Sequence, residues 1–366
     1  MNYSIIKLSV DEIKPTNYST GKWVEYGSDN LFPNKLMRLY STSPTHQAII
    51  DYKAQLICGE GFILDTDEKK RINDRFNIND LLQKVALDFA IFNGISLLIG
   101  WQRDLKEISK IYHSDFSEYR ADYKKESSIV DGYWHSEDWE NCGNTNYKPI
   151  LFPSFNPKNP QAKKTEVAYY KTYSPQMRYY PKPSYCGGIE YIDLEAALAV
   201  FHLSCVKNGF TPPAIISHPD DPMPEEKINF ENELKSNHVG PENGNNLIII
   251  WGQSGEKKIE ITPMSVINNE NLYRELNDIS QQKIITAHRL TSPTLVGLPG
   301  AGSLGGNANE IEMATDYFYS QTIRSSQRTI ERYFNKILRY AGLTEDLTIE
   351  NFKVFPSKIN NTQTVE

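Results

Sequence analysis

The sequence predicts an α+β chain. Three observations carry that class. Stretches such as 78–94 and 268–290 repeat apolar residues at helical spacing between stop and start signals. Short apolar runs such as "ISLLIGW" and "NLIIIWG" lie between Gly, Asn and charged residues, as strands do. From 114 to 190, charged, aromatic and Pro residues dominate, which predicts extended strands and long loops partly ordered by partners.

The elements follow in order. The first 30 residues alternate loosely and end in "EYGSDN". Asn30 or Asp29 can cap a helix that opens at Leu31, with Pro33 in its first turn. That helix is interrupted near Pro44 and stops at Gly59 and Gly61. "GFIL" is a short strand, 78–94 an amphipathic helix closed by Gly94, and 95–101 and 106–113 are strands. Residues 191–209 form a helix with Gly209 past its end. It is apolar nearly all round and should be buried on several sides. A strand in "TPPAIISHPDDPMP", an acidic helix over 224–240, and a hairpin of "NLIIIWG" with "KKIEITPM" come next. After the 268–290 helix and a glycine loop, 307–342 contains no Gly or Pro until its last residue and predicts one helix roughly 50 Å long. Its acids come early (Glu310, Glu312, Asp316) and its bases late (Arg324, Arg328, Arg332, Lys336, Arg339), complementing the helix dipole. The tail from Thr344 fades into polar residues.

Bulk composition narrows the classes. For 366 residues, 39% hydrophobic content is low, so either the shape is elongated or a large surface is buried between subunits. Tyr is used 22 times against 5 for Trp, and its half-apolar ring suits such interfaces. A net charge of −7 argues against a protein that grips nucleic acid overall, although DNA could slide past it. The four cysteines form no C-x-x-C pair, which favours free thiols over a disulfide frame or a zinc site. The start shows no secretory signal pattern, and no apolar run is long enough to cross a bilayer.

The motif that invites chemistry is "GLPGAGSLGG", 297–306. A dinucleotide site needs a strand before the glycines and a second strand beyond the next helix. Here prolines bracket the preceding run, and the chain nearly ends before a second strand can form. A serine-hydrolase turn needs a His after the Ser, yet all seven histidines precede Ser303. No Lys-Ser/Thr pair makes a P-loop, and no pair of His has helical metal-ligand spacing. His135 beside Glu137 and Asp138 reads as a solvated cluster, His202 as a satisfied core or interface histidine, and Asp220-Asp221 as a turn. What is left is a mobile loop between two helices, either a linker or a loop that flexes against something passing by.

The order of elements then suggests a family. A buried helix ends in "NGFTPPAII", "GPENGNNLIII" precedes the hairpin, "AHRLTSPTLVG" leads into the glycine loop, and "SQRTIERYFNKIL" lies in the long helix. In this the chain resembles the tailed-bacteriophage portal protein family over most of 20–340. "WVEYGSDNLFP" and "QMRYYPKPSY" resemble a portal branch found in some phages and prophages.

The resemblance implies a portal-like α+β fold. Its parts would be a wing over 1–190, stem helix 1 at 191–208, a clip at 209–265, stem helix 2 at 266–289, a tunnel loop at 290–309, a long wing helix at 310–342 and a short tail at 343–366. The crown is nearly absent. It also implies a ring, usually a dodecamer, at one capsid vertex of the virion, assembled in the host cytoplasm. Leu298, Gly300, Gly302, Ser303, Leu304 and Asn307 would face the channel that double-stranded DNA traverses. Pro213, His218, Asp220 and Asp221 would dock the terminase large subunit and later the head-tail adaptor. The wing would meet the major capsid protein. No catalysis, cofactor, metal or membrane is implied. Arg324, Arg328, Arg332 and Lys336 recur every four residues, so they form either a solvated face or a contact with a neighbouring subunit's acids or with DNA. Two rivals stay open: a nucleotide-binding enzyme built on the 297–306 loop, and another ring-forming head-tail connector.

Overall fold

The computed structural model describes residues 21–64, 72–73, 75–123, 130–160, 165–207, 214–218, 222–229, 248–251, 260–263, 270–298, 308–342 and 346–352. The chain forms two compact units. One joins Met1–Ile189 to Ile284–Glu366, and the other is Glu190–Lys283.

The first unit opens with three helices, α1 (Phe32–Thr42), α2 (Pro44–Cys58) and α3 (Ile78–Phe92). The break at Pro44 is as expected, and Ser43 caps α2 by accepting from the His46 amide at 3.2 Å. The start of α1 differs from expectation, because its N-cap is Leu31 and no side chain caps it. Asp29 accepts from the Leu31 amide, and Asn30, at φ 64°, accepts from the Tyr26 amide and from Arg120 Nε. Both candidate caps are therefore used to build the preceding turn. The end of α3 also differs. The left-handed residue is Asn93 (φ 62°), while Gly94 opens the next strand, where a Cβ would lie 2.3 Å from the Phe116 ring.

Strands β2 (Gly94–Trp101), β3 (Ile108–His113) and β7 (Glu166–Lys171) form an antiparallel sheet in the order β3-β2-β7. Central β2 is buried along most of its length, as an apolar run with neighbours on both edges must be. Strands β4 (Tyr119–Ala121), β5 (Gly132–His135) and β6 (Ile150–Pro153) form a second antiparallel sheet.

Much of the described part of 114–190 is held by the chain's own packing. Tyr26 and Tyr180 stack at 4.1 Å with rings nearly parallel. Tyr26 donates to Pro181 O at 2.7 Å, Tyr185 to Ile91 O at 2.9 Å, and Tyr180 to Val24 O while accepting from the Ala121 amide. Each of these three phenols thus finds a backbone partner, which is what lets it be buried. Arg120 is fully buried among them. Its guanidinium donates to Asn30 Oδ1 (2.7 Å), Asn30 O (2.7 Å), Ser117 O (2.7 Å) and Tyr119 O (2.9 Å), and lies 4.7 Å over the Trp139 ring.

At the C-terminal side, α7 (Ala308–Phe318) passes through a π turn (Tyr319–Ile323) into α8 (Arg324–Leu338) and a 3₁₀ turn to Ala341. The helical run was expected, the π turn was not. In that turn the Tyr319 hydroxyl lies within hydrogen-bond reach of the side-chain oxygens of Gln327 and Asn351 and can donate to one of them at a time, and Gln327 Nε2 satisfies the terminal carbonyls of Leu56 and Ile57. The segment after 345 is not a featureless tail. Strand β11 (Ile349–Glu350) pairs with β1 (Gly61–Phe62), Asn335 bonds the backbone of Leu347 in both directions, and Glu331 accepts from the Ile349 amide.

The second unit carries most of α4 (Ile189–Lys207), strands β8 (Ala214–His218), β9 (Ile248–Trp251) and β10 (Glu260–Pro263), helix α5, described over 224–229, and most of α6 (Glu270–His288). The expected hairpin is absent: β8 lies between β10 and β9, antiparallel to the first and parallel to the second. Residues 219–247 supply the long crossover that parallel pairing requires, and 252–259 are too many for a tight hairpin turn. The burial expected for α4 holds for its first half only. Ile192, Ala196 and Leu198 are buried, whereas Val200 is 68% and Leu203 56% exposed, and Phe201 stacks on Tyr273 of α6 at 4.9 Å with part of its ring open.

Candidate functional site

Three surfaces correspond to the residues singled out from the sequence. The first is the exposed face of α8. Arg328, Arg332 and Lys336 stand at i, i+4 and i+8, all exposed, and line open grooves of about 690 and 500 Å³ along the helix. Arg324 lines the smaller groove beside Arg328 and Arg332, but unlike them it is ion-paired among the described residues. It turns inward to Glu331 Oε1 at 3.0 Å, with Gln327 at 3.3 Å. Arg339 lies beside Asp346 at 2.9 Å. The four-residue series thus runs along one side of α8, with Arg324 paired to Glu331 and the other three exposed.

The second is the base of the glycine loop. Helix α6 ends at His288, Arg289 takes a left-handed turn (φ 58°), and the Leu290 amide bonds back to Ile285 O at 3.1 Å. Thr291 Oγ1 donates to Ala314 O of α7 at 2.7 Å, which ties the loop's start to the helix that follows the loop. Pro293–Val296 is a 3₁₀ turn, where a dinucleotide site would need a strand. Leu298 is half-buried, its amide bonded to Pro293 O. Gly300, Gly302, Ser303, Leu304 and Asn307 lie outside the described residues.

Behind this base is a polar cluster that sequence reasoning missed. Lys53 Nζ lies 3.0 Å from His288 Nδ1, and His288 Nε2 lies 2.8 Å from His46 Nδ1, all buried. As an ammonium, Lys53 can only donate, so His288 carries its proton on Nε2 and donates to His46 Nδ1. The His46 proton then sits on Nε2, which has no partner. Tyr185 stacks on His288 at 4.9 Å and meets His46 edge-on at 4.5 Å. Burial, then Lys53, pushes His46 down to about 3 and His288 well below the ordinary range. Burial, then Arg289, pulls Lys53 to about 7. The cluster welds the end of α6 to α2. Nothing local marks it, because its residues stand up to 242 positions apart.

The third is the second unit's sheet. His218 pairs with Trp251 through the β8–β9 ladder. Pro213, Asp220 and Asp221 and the side chain of His218 lie outside the described residues. His202 is exposed on α4 near Tyr273, at 6.1 Å between rings, so it is not a core histidine in the chain alone. His135 meets Glu118 across the sheet at 2.8 Å, not Glu137 or Asp138. Among the described residues no three His, Cys, Asp or Glu side chains are placed to hold a metal ion, and no helix is long and apolar enough to cross a membrane.

No family model matches the chain. A curated relative, the "Probable portal protein" of Haemophilus phage HP1 (strain HP1c1), is 23% identical over 163 residues, 43% of this chain and 45% of that protein. The match thus spans less than half of the relative's length. Among solved structures, a chain in the neck of an empty gene transfer agent particle, computed with C6 symmetry, superposes with a TM-score of 0.55 at 14% identity, covering 86% of this chain and 83% of that one. A chain in the neck of the native particle, computed with C12 symmetry, gives 0.53 at 15% over 87% and 84%. The crystal structure of an HK97-family phage portal protein from Corynebacterium diphtheriae gives 0.50 at 10% over 86% and 95%.

Proposed function

We infer that this chain, whose fold is that of phage portal proteins, is a portal subunit: copies of it close into a ring at one vertex of a virion and form the conduit through which the genome enters and leaves. The observation that carries the reading is the superposition on neck and portal chains over 86–87% of its length. The apolar second half of α4 supports it, since a solvent-exposed Val200, Phe201 and Leu203 on one helix suit burial against further copies.

The first unit is the wing. The second, Glu190–Lys283, nearly coincides with the span assigned to the two stem helices and the clip. The clip docks the terminase large subunit and then a head-tail adaptor, and Pro213, His218, Asp220 and Asp221 are its contact residues. The wing meets the major capsid protein. The loop from Leu298 to Asn307 faces the DNA, held at its base by the Thr291–Ala314 bond and the His288 cluster. An acidic chain suits a channel wall past which phosphates slide. The ring has twelve copies and no catalytic role of its own. The rival nucleotide enzyme gains no support, since the likenesses are to portal and neck chains and a 3₁₀ turn precedes the glycines.

Native mass spectrometry and negative-stain microscopy of the purified chain test this. Closed rings near 500 kDa, twelve times 41.9 kDa, are expected. A stable monomer, or nucleotide binding abolished by Gly302→Val, would overturn it.

A further inference from the structure

We propose that in the ring the basic face of α8 seats the acidic opening of α7 from the adjoining copy, so that the two halves of one helical run are a plug and its socket. The proposal rests on the ring reading and adds the contact that closes it.

The socket is a charged surface with unmet demand. Arg328, Arg332 and Lys336 are exposed and form no ion pair among the described residues. The acids beside them are committed elsewhere: Glu331 to Arg324 and the Ile349 amide, Asp346 to Arg339. The cations line open grooves and do not merely stud a convex surface. In a chain of net charge −7, three adjacent cations without counter-charges are in the minority, and acidic surface is abundant.

The plug lies on the same helical run. Glu310, Glu312 and Asp316 are exposed on α7. Beside them Met313 is 73% and Tyr317 61% exposed. A solvated helix face has little reason to present a Met and a Tyr among its acids, whereas interfaces are enriched in both. Acids at one end and bases at the other are also the requirement for a heterologous contact, in which each copy uses one patch on each side. Such contacts close into a ring when the rotation allows. Charge complementarity of this kind sets register and rejects wrong partners. Duplex DNA is the competing occupant of the socket, but the exposed Met and Tyr beside the acids favour a protein partner.

The test uses the full chain. One variant carries Arg328→Glu, Arg332→Glu and Lys336→Glu, a second carries Glu310→Lys, Glu312→Lys and Asp316→Lys, and a third carries all six. Circular dichroism checks that each folds, and native mass spectrometry reads the ring fraction at about 0.15 M salt. Each single-sided reversal should lower the ring fraction roughly tenfold or more, and the combined variant should recover most of it. Rings that form equally well in all variants overturn the proposal while leaving the portal reading standing. So do intact rings whose basic reversal loses only retention of a duplex DNA fragment, since that assigns the face to DNA. A wild-type chain that forms no ring removes the portal reading itself, and this contact with it.

Discussion

Replacing Arg120 with Met should destabilise the first unit by about 3 kcal/mol. The side chain is fully buried and makes four hydrogen bonds, to Ser117 O, Tyr119 O and both oxygens of Asn30. Bonds from a charged donor contribute about 1.5 kcal/mol each at the low end, so losing four costs about 6 kcal/mol. Against this stands relief from burying a charge. Burial, partly offset by Tyr180 and its neighbours, lowers the Arg120 pKa to about 10 from 12.5, a net penalty on the charged form of roughly 3 kcal/mol that Met avoids. The difference is about 3 kcal/mol, with a little more from the cation–π contact with Trp139. Arg120→Lys should fall in between or near the Met variant, because a point charge cannot reach acceptors spread around a planar fork. Guanidinium unfolding at one fixed protomer concentration measures the loss, since any assembly adds its own stabilisation. A Met variant within 1 kcal/mol of the parent would refute the reasoning, and would mean that Asn30 and the 117–119 carbonyls are satisfied without the guanidinium.

Three other outcomes are expected. Gly59→Ala should lower the melting temperature markedly, by about 2–4 kcal/mol of stability, because φ is 54° there and the new Cβ would lie 2.1 Å from Glu350 O; an unchanged melt would mean that β1 and β11 are not paired in solution. Stability should fall as pH drops from 6.5 towards 3, because His46 and His288 are held neutral when folded and bind protons when unfolded, so their contribution is present above 6.5 and lost below it. Burial raises Asp88 to about 6, which works in the opposite direction, so the comparison is with His46→Gln, whose acid slope should be shallower; equal slopes would contradict the cluster. Phe201→Glu with Leu203→Glu should abolish ring formation and leave the monomer's melt nearly unchanged, because both side chains are exposed in the single chain; rings of normal size on native gels would exclude α4 from the interface.

What the sequence made legible was local. Helices α1 to α3, α4, α6 and the α7–α8 run were readable because periodicity and breakers act within a few residues. Partnering was not. Asn30 and Asp29 look like caps until Arg120, 90 residues away, claims Asn30. The IIIW and IEIT strands look like a hairpin until β8 comes between them. The tyrosine-rich stretch reads as loops until the Tyr180 and Tyr185 hydroxyls meet backbone carbonyls of Val24 and Ile91. At the candidate site, four-residue spacing placed Arg328, Arg332 and Lys336 on one side of a helix, and all three are exposed there. It could not predict that Glu331, seven residues on, would pair with Arg324. The His46–Lys53–His288 cluster left no signature, since two helices must pack before it exists.

The pairing of β1 with β11 has a consequence for how such a chain can vary. Because residues near 61 and near 349 are clasped together, the first unit is completed by segments from both sides of 190–283. The second unit is therefore a cassette spliced into a finished body. Lengthening a cassette of this kind is inexpensive, since each doubling of a closed loop costs only about 0.6 kcal/mol in chain entropy. The body can keep its stability while the inserted part is resized.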